Sequence, residues 1–219
     1  MKTRRAITLA ALSVLAGGAA LAQPAPETAP VTPPAPPAPD PNAVRVDLNT
    51  GQGKIVLELY PDKAPITAGN FLRYVKTRKM DDTTFYRALR LSWATDKGLI
   101  QGGLQNDPKK LQPPIKHEPT SETGLKHLDG TISMSRGKPG SANGDFFICV
   151  GDSPYLDANP AGPAGQDNLG YAAFGRVVEG MEVVRAILAM STGGHARNPV
   201  MQGQILDHPV PIITARVER

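Results

Sequence analysis

The chain has a single cysteine, Cys149, so it cannot close an internal disulfide. That thiol lies in the apolar run Phe146-Phe147-Ile148-Cys149-Val150, where it reads as a small buried hydrophobe. A reactive thiol needs an electropositive, partly exposed setting. Beyond the first 22 residues, no apolar stretch approaches the ~20 residues that a membrane span requires. Glycine does not recur at every third position, which excludes a collagen-like rod. Aromatic residues make up only 5% of the chain, and no basic run alternates with them as in a groove for single-stranded nucleic acid. The formal charge of +4 therefore reads as an ordinary solvated surface, and no nucleic-acid partner is expected. Four histidines (His117, His127, His195, His208) show no metal-ligand spacing, and His117-Glu118 lacks a second histidine four residues on. Also missing are a Gly-x-Ser-x-Gly elbow, a Walker loop and a Gly-x-Gly-x-x-Gly turn. No metal or cofactor is expected. Two broad options remain: the protein binds something, or it catalyses a reaction in which no bond is broken.

What is present is unevenly distributed. Residues 1–22 begin with Lys2, Arg4 and Arg5, continue through the apolar Ala6–Leu15, and end in Ala20-Leu21-Ala22. This is the pattern of a cleaved secretory signal, which predicts a periplasmic protein, free of the membrane after cleavage. Nine of the 22 prolines fall between Gln23 and Pro41. Proline fixes φ and removes an amide donor, so residues 23–42 predict an extended linker rather than helix or sheet. Residues 43–219 are one domain's worth of chain.

Within that domain, Val44–Leu48 and Ile55–Tyr60 alternate apolar and polar around the turn Asn49–Gly53, predicting a hairpin. Pro65 suits the first turn of a helix over residues 65–78, with Ala68, Phe71, Leu72 and Val75 on one face. Short strands are expected at Thr84–Arg90, Gly98–Gln101, Gly130–Ser135, Asp145–Val150 and Ala172–Val178. A second helix follows at Met181–Met190 and a last strand at Pro211–Val217. Many short strands with two separated helices predict a mainly β protein, a closed antiparallel barrel with the helices over its ends. A barrel of about eight strands fills its interior with side chains, so a site must lie on its wall or rim.

Six segments occur in order: the helix Pro65–Tyr74 with Thr67, Asn70 and Phe71; Thr84-Phe85-Tyr86-Arg87; Gln101-Gly102-Gly103; Gly130-Thr131-Ile132-Ser133-Met134; Phe146-Phe147-Ile148; and Tyr171 through Met181. Together they resemble the cyclophilin family of peptidyl-prolyl cis-trans isomerases over residues 43–217. The resemblance implies an eight-stranded closed barrel capped by two α-helices, acting as a monomer on Xaa-Pro segments of unfolded or exported proteins. It also implies site residues. Arg87 matches the catalytic arginine and Gln101 the glutamine that orients it. Phe147 matches the aromatic floor of the proline pocket, with Met134 and Leu156 as apolar neighbours. Tyr155 stands where many members carry Trp, and Tyr171 where animal members carry His and bacterial relatives often carry Tyr.

Several features depart from the family pattern. Thirteen residues, Ala88 to Ile100, separate Arg87 from Gln101, and Gly98 stands where a pocket aromatic is expected. Trp93 lies in that insertion, either folding back as a replacement or sitting at the surface. Asp145 stands in place of the usual glutamine, where a carboxylate near Arg87 would pair with it or orient it. Ser135-Arg136 replaces a pair that contacts substrate backbone. These departures keep three readings open: an active isomerase, a non-catalytic module that binds proline-containing segments on the same fold, and a barrel that carries a ligand.

Overall fold

The computed structural model describes residues 40–105 and 107–218. The expected signal and nearly all of the expected linker lie outside them. Eight strands form one sheet: β1 (Val44–Thr50), β2 (Gly53–Leu59), β3 (Thr83–Leu91), β4 (Ala94–Gly103), β5 (Thr131–Met134), β6 (Phe146–Val150), β7 (Ala172–Glu179) and β8 (Ile205–Val217). All pairings are antiparallel, and the order β1-β2-β7-β5-β6-β4-β3-β8 closes as β8 returns to β1. Closure leaves no sheet edge open. The barrel expected from alternation and turns is thus the fold observed. Two helices, α1 (Pro65–Lys76) and α3 (Met181–Ala189), bury their apolar faces, and a single turn, α2 (Thr120–Thr123), is added to the expected pair.

Alternation along each strand sorts side chains into two sets. The inward set includes Leu48, Leu57, Phe85, Ile100, Ile132, Phe146, Ile148 and Phe174, all buried in one cluster with Phe71 of α1. Phe146 makes edge-to-face contacts with Phe71 at 5.3 Å and Phe85 at 5.6 Å, an arrangement favoured by the ring quadrupole. Side chains fill the barrel, so its interior is core and not a ligand vessel. The outward Leu99 of β4 and Phe147 and Cys149 of β6 form a second, smaller cluster with Leu156 of the turn after β6, and Leu89 and Tyr171 pack against it.

The insertion between Arg87 and Gln101 extends the expected strands past Arg90 and ahead of Gly98, as the two arms of one long hairpin. Ala88 pairs with Ile100, Leu89 with Leu99, and Leu91 with Ala94. Alternation was hard to read there because the outer arms are polar and part-exposed.

Helix α1 shows how distant segments are tied. Its N-cap, Ala64, has no side-chain acceptor for the free amides of the first turn, and Pro65 removes one of those amides. Glu118, buried and 51 residues away in sequence, supplies the acceptor. Its carboxylate takes the amides of Ile66 (3.1 Å) and Thr67 (2.7 Å) and the Thr67 hydroxyl (2.6 Å). A negative group at a helix N-terminus also complements the macrodipole. Glu118→Ala leaves three donors without their acceptor, two of them on Thr67, which is fully buried. We expect a loss of about 2–4 kcal/mol in urea unfolding, with Glu118→Gln intermediate. Wild-type stability in both variants would show that water replaces the carboxylate at no cost.

Candidate active site

The site follows from strand register. Directly opposed residues on neighbouring strands share a face of the sheet. Arg87 on β3 faces Gln101 on β4, Gln101 faces Phe147 on β6, and Phe147 faces Ser133 on β5. One transverse row on the outer wall therefore carries a cation, a carboxamide, an aromatic ring and a hydroxyl. The β3–β4 register shifts between Phe85 and Arg87, a bulge that leaves Tyr86 without an opposite partner. Phe85 and Ala88 both belong to the core cluster although three residues apart. The bulge thus gives the outer wall two consecutive side chains, Tyr86 and Arg87.

These side chains form a connected network. Arg87 Nη1 donates to Gln101 Oε1 at 2.6 Å. Gln101 Nε2 in turn donates to the Tyr86 hydroxyl at 2.7 Å and to Ser135 Oγ at 3.0 Å. On its other side, Arg87 gives Nε–H and one Nη2–H to Gln204 Oε1, at 2.8 and 2.6 Å. Arg87 is half-buried, and burial lowers its pKa, yet an arginine stays charged throughout. Among the described residues it makes no salt bridge, so its charge is oriented by neutral acceptors and cancelled by none. Burial raises the pKa of Tyr86, which keeps the phenol protonated.

Phe147 is held in place from two sides. Tyr171 meets it edge-on at 5.3 Å, and His127 stacks on it at 6.0 Å with planes 15° apart. Leu89, Leu99 and Leu156 complete the apolar wall. Cys149 joins them, fully buried, and burial pushes its thiol up to about 12, so it is packing and not a nucleophile. Gly98 has φ of 150°, and a Cβ there would lie 1.9 Å from the Leu89 carbonyl oxygen. No side chain fits at that position, and the wall is built from Leu89 and Leu99 instead.

Several expected site residues lie elsewhere. Met134 pairs with Phe146 and is 1% exposed in the barrel core, one position out of phase with the wall. Trp93 sits at the tip of the β3–β4 hairpin, 78% exposed and outside the apolar cluster, so the surface placement is the one observed. Asp145 does not pair with Arg87. Its carboxylate accepts the Gln105 amide at 2.8 Å and also interacts with the Leu104 amide, fixing the turn after β4. Burial raises its pKa and those amides lower it. Tyr155 is 57% exposed next to Leu156, at the rim.

Arg136 has a positioning role that its type does not advertise. Only 5% of its side chain is exposed. It donates to the Gly170 carbonyl through Nε and Nη2, to Asp167 Oδ2 at 2.5 Å, and to Gly137 O. Its guanidinium lies over the Tyr171 ring at 5.2 Å. It therefore ties the loop of residues 158–170 to the barrel beside Tyr171, and His117 Nε2 holds the same loop at the Leu169 carbonyl. Sequence reasoning missed Gln204, His127, Leu89 and Leu99. Of these, Leu89 and Leu99 carried a signal, each two positions from a site residue, Arg87 or Gln101, on an expected strand.

Fold and site define a class: a closed antiparallel barrel whose polar network lies on its outer wall, with an arginine in line with an apolar cluster. A family model described as cyclophilin type peptidyl-prolyl cis-trans isomerase/CLD matches residues 45–211. A peptidyl-prolyl cis-trans isomerase of Streptomyces antibioticus is 39% identical over 178 residues, covering 78% of this chain and 97% of the relative. One of Acinetobacter baylyi is 35% identical over 177 residues, covering 79% and 85%. A solved cyclophilin type isomerase of Cryptosporidium parvum, crystallised in the presence of the dipeptide Ala-Pro, shares the fold with a TM-score of 0.60. It is 20% identical, with 80% of this chain and 99% of that one covered. The chain belongs to the cyclophilin-type peptidyl-prolyl cis-trans isomerase family.

Behind the pocket floor, His127 Nδ1 lies 2.7 Å from Asp157 Oδ1 and Nε2 lies 2.9 Å from Ser133 Oγ. Both His127 and Ser133 are buried, so this Ser-His-Asp chain faces no solvent and supports Phe147 rather than attacking a substrate. Burial lowers the His127 pKa, and the Asp157 hydrogen bond only partly restores it. The imidazole is therefore neutral in the fold, while in the unfolded chain it protonates near ~6.5. Below that pH the unfolded state binds the extra proton, so this contribution is complete above ~7 and is lost as pH falls through ~6.5 toward the folded value. Urea midpoints measured from pH 7.5 to 5.5 should fall more steeply in wild type than in His127→Asn. Parallel curves for the two proteins would show that His127 is not the group responsible.

Proposed function

We propose that the protein catalyses cis-trans isomerisation of Xaa-Pro bonds, with Arg87 stabilising the twisted amide, and that it serves the folding of exported proteins. The observation that carries the catalytic part is a half-buried arginine fixed by neutral carboxamides next to an apolar wall. Amide resonance sets a rotation barrier of ~18–20 kcal/mol. At proline the two isomers are close in energy but exchange over tens of seconds. In the twisted state the prolyl nitrogen loses conjugation and gains a lone pair. A fixed cation that hydrogen-bonds this nitrogen favours the twisted over the planar state, which is the differential binding that catalysis requires.

The wall residues complete this reading. Phe147, with Leu89, Leu99 and Leu156, offers an apolar seat for the pyrrolidine ring at the end of the row that begins with Arg87. Gln101 orients the guanidinium while its own amide is held by Tyr86 and Ser135. No proton transfer, nucleophile or metal enters the scheme. The export part rests on the signal-like residues 1–22 and the proline-rich spacer, which predict a periplasmic site of action. The expected clients are Xaa-Pro segments of unfolded chains.

Binding without catalysis is the second reading. It draws on Trp93 and Tyr155, both exposed, as contacts for extended client segments outside the recess. Exchange spectroscopy on a proline peptide separates the two. We expect faster cis-trans exchange with wild type and a fall in kcat/KM of about 100-fold in Arg87→Ala, the scale of losing one preorganised donor. Equal rates for the two proteins would end the catalytic reading. Peptide shifts without accelerated exchange in wild type would favour the binding module.

A further inference from the structure

The guanidinium of Arg87 is gripped from a direction that neither the strand motif nor its cross-strand partner supplies. Arginine carries five N–H donors in a fixed plane. One Nη1–H goes to Gln101, and Nε–H with one Nη2–H goes to Gln204. Among the described residues, one N–H on each terminal nitrogen is left for a bound peptide. Without Gln204 the group would be held only at Nη1, and χ rotation of the long side chain would carry the remaining donors out of line.

Gln204 is itself fixed along its whole length. Its backbone amide donates to Met201 O at 3.0 Å, and its carbonyl accepts the Ala88 amide, next to Arg87, at 2.9 Å. Its side-chain nitrogen donates to Val200 O at 3.2 Å, which orients the carboxamide with its oxygen toward Arg87. The segment that delivers it, between α3 and β8, is anchored to the hairpin bearing Arg87. Arg90 donates to Leu188 O (2.8 Å), Met190 O (2.7 Å) and Thr192 Oγ1 (2.8 Å). A short 3-10 turn, Pro199–Met201, started by Asn198 accepting the Val200 amide at 3.1 Å, then turns the chain back toward the wall.

We propose that Gln204 is a positioning residue for Arg87, one that sets the direction of the two free donors while leaving the guanidinium's charge uncompensated. This inference rests on the catalytic reading of Arg87. The neutral carboxamide matters, because a carboxylate in the same place would still accept from Arg87, but it would lose the donation to Val200 O and offset the charge that stabilises the twisted amide.

Two variants test it by peptide exchange kinetics, thermal melting and the water-exchange rate of the Arg87 Nε–H resonance. In Gln204→Ala we expect kcat to fall about 10-fold with KM changed less than about 2-fold, since orientation acts in the transition state. We also expect the Nε–H to exchange with water about 10-fold faster once its acceptor is gone. In Gln204→Glu the Nε–H should stay slow while kcat still falls. A merely structural glutamine would lower the melting temperature in both variants without this split. Unchanged kcat in Gln204→Ala, beside full loss in Arg87→Ala, overturns this inference alone. Wild-type kcat in Gln204→Glu overturns the requirement for a neutral acceptor. Full rate in Arg87→Ala removes the catalytic reading and this one with it.

Discussion

The pairing of Arg87 with Gln101 and of Gln101 with Phe147 is the constraint on which the site depends. A closed barrel filled by its own side chains has no room for a substrate, so its chemistry must stand on the outer wall. On that wall the side-chain spacing is set by hydrogen-bond register and not by flexible loops. A one-residue slip of β6 would turn Phe146, Ile148 and Val150 outward and put Phe147 and Cys149 in their place, costing the core its fitted packing. The register is therefore defended by the whole core, and the site inherits that rigidity. The bulge at Tyr86 is the one local irregularity in β3 beside the row, and it places Tyr86 and Arg87 together on the outside.

A second constraint concerns charge. The acidic side chains around the row are engaged elsewhere: Asp145 with backbone amides, Asp157 with His127, Asp167 with Arg136. Among the described residues, the guanidinium of Arg87 donates only to carboxamide oxygens. Charged-neutral hydrogen bonds still contribute ~1.5–3 kcal/mol each, enough to fix a side chain that would otherwise sample several rotamers. They do so without supplying the opposite charge that would weaken its field at a neighbouring atom. The same logic explains why a half-buried carboxylate is tolerated at Asp145, where amide donors replace part of its solvation.

Much of this was legible in the amino-acid sequence, and the failures have definite causes. Alternation located most strands, Pro65 marked the start of α1, and ordered motifs brought Arg87, Gln101 and Phe147 together. Period-2 reading fails where a bulge intervenes, and it cannot choose a face for a short, wholly apolar strand. Met134 was placed beside the wall by the family resemblance and not by strand phase, and its pairing with Phe146 turns it inward. Asp145 was expected near Arg87 because it stands at the glutamine position of the family pattern. Alternation would carry Asp145 to the face of Phe147, but it lies just before β6, where the carboxylate turns to the amide of Gln105 after β4 instead. Gln204 lies 117 positions from Arg87, in a segment without periodicity. Only tertiary structure brings it to the site.

The hairpin beyond Arg87 and the segment before β8 are best understood as one device. Each is poor in buried apolar surface at its outer end, and neither would hold a fixed shape alone. Arg90 reaches from the hairpin to the C-terminal carbonyls of α3, which carry unsatisfied acceptors and the negative end of the helix dipole. The amide of Ala88 reaches the carbonyl of Gln204, and Gln204 returns through its side chain to Arg87. The loop of hydrogen bonds is closed through two neighbouring residues of β3, so displacing the segment strains the very backbone that carries the arginine. Extra chain outside the barrel thus adds stiffness at the point where the orientation of one guanidinium matters. A longer hairpin without the partnering segment would have lengthened the lever and loosened the group instead.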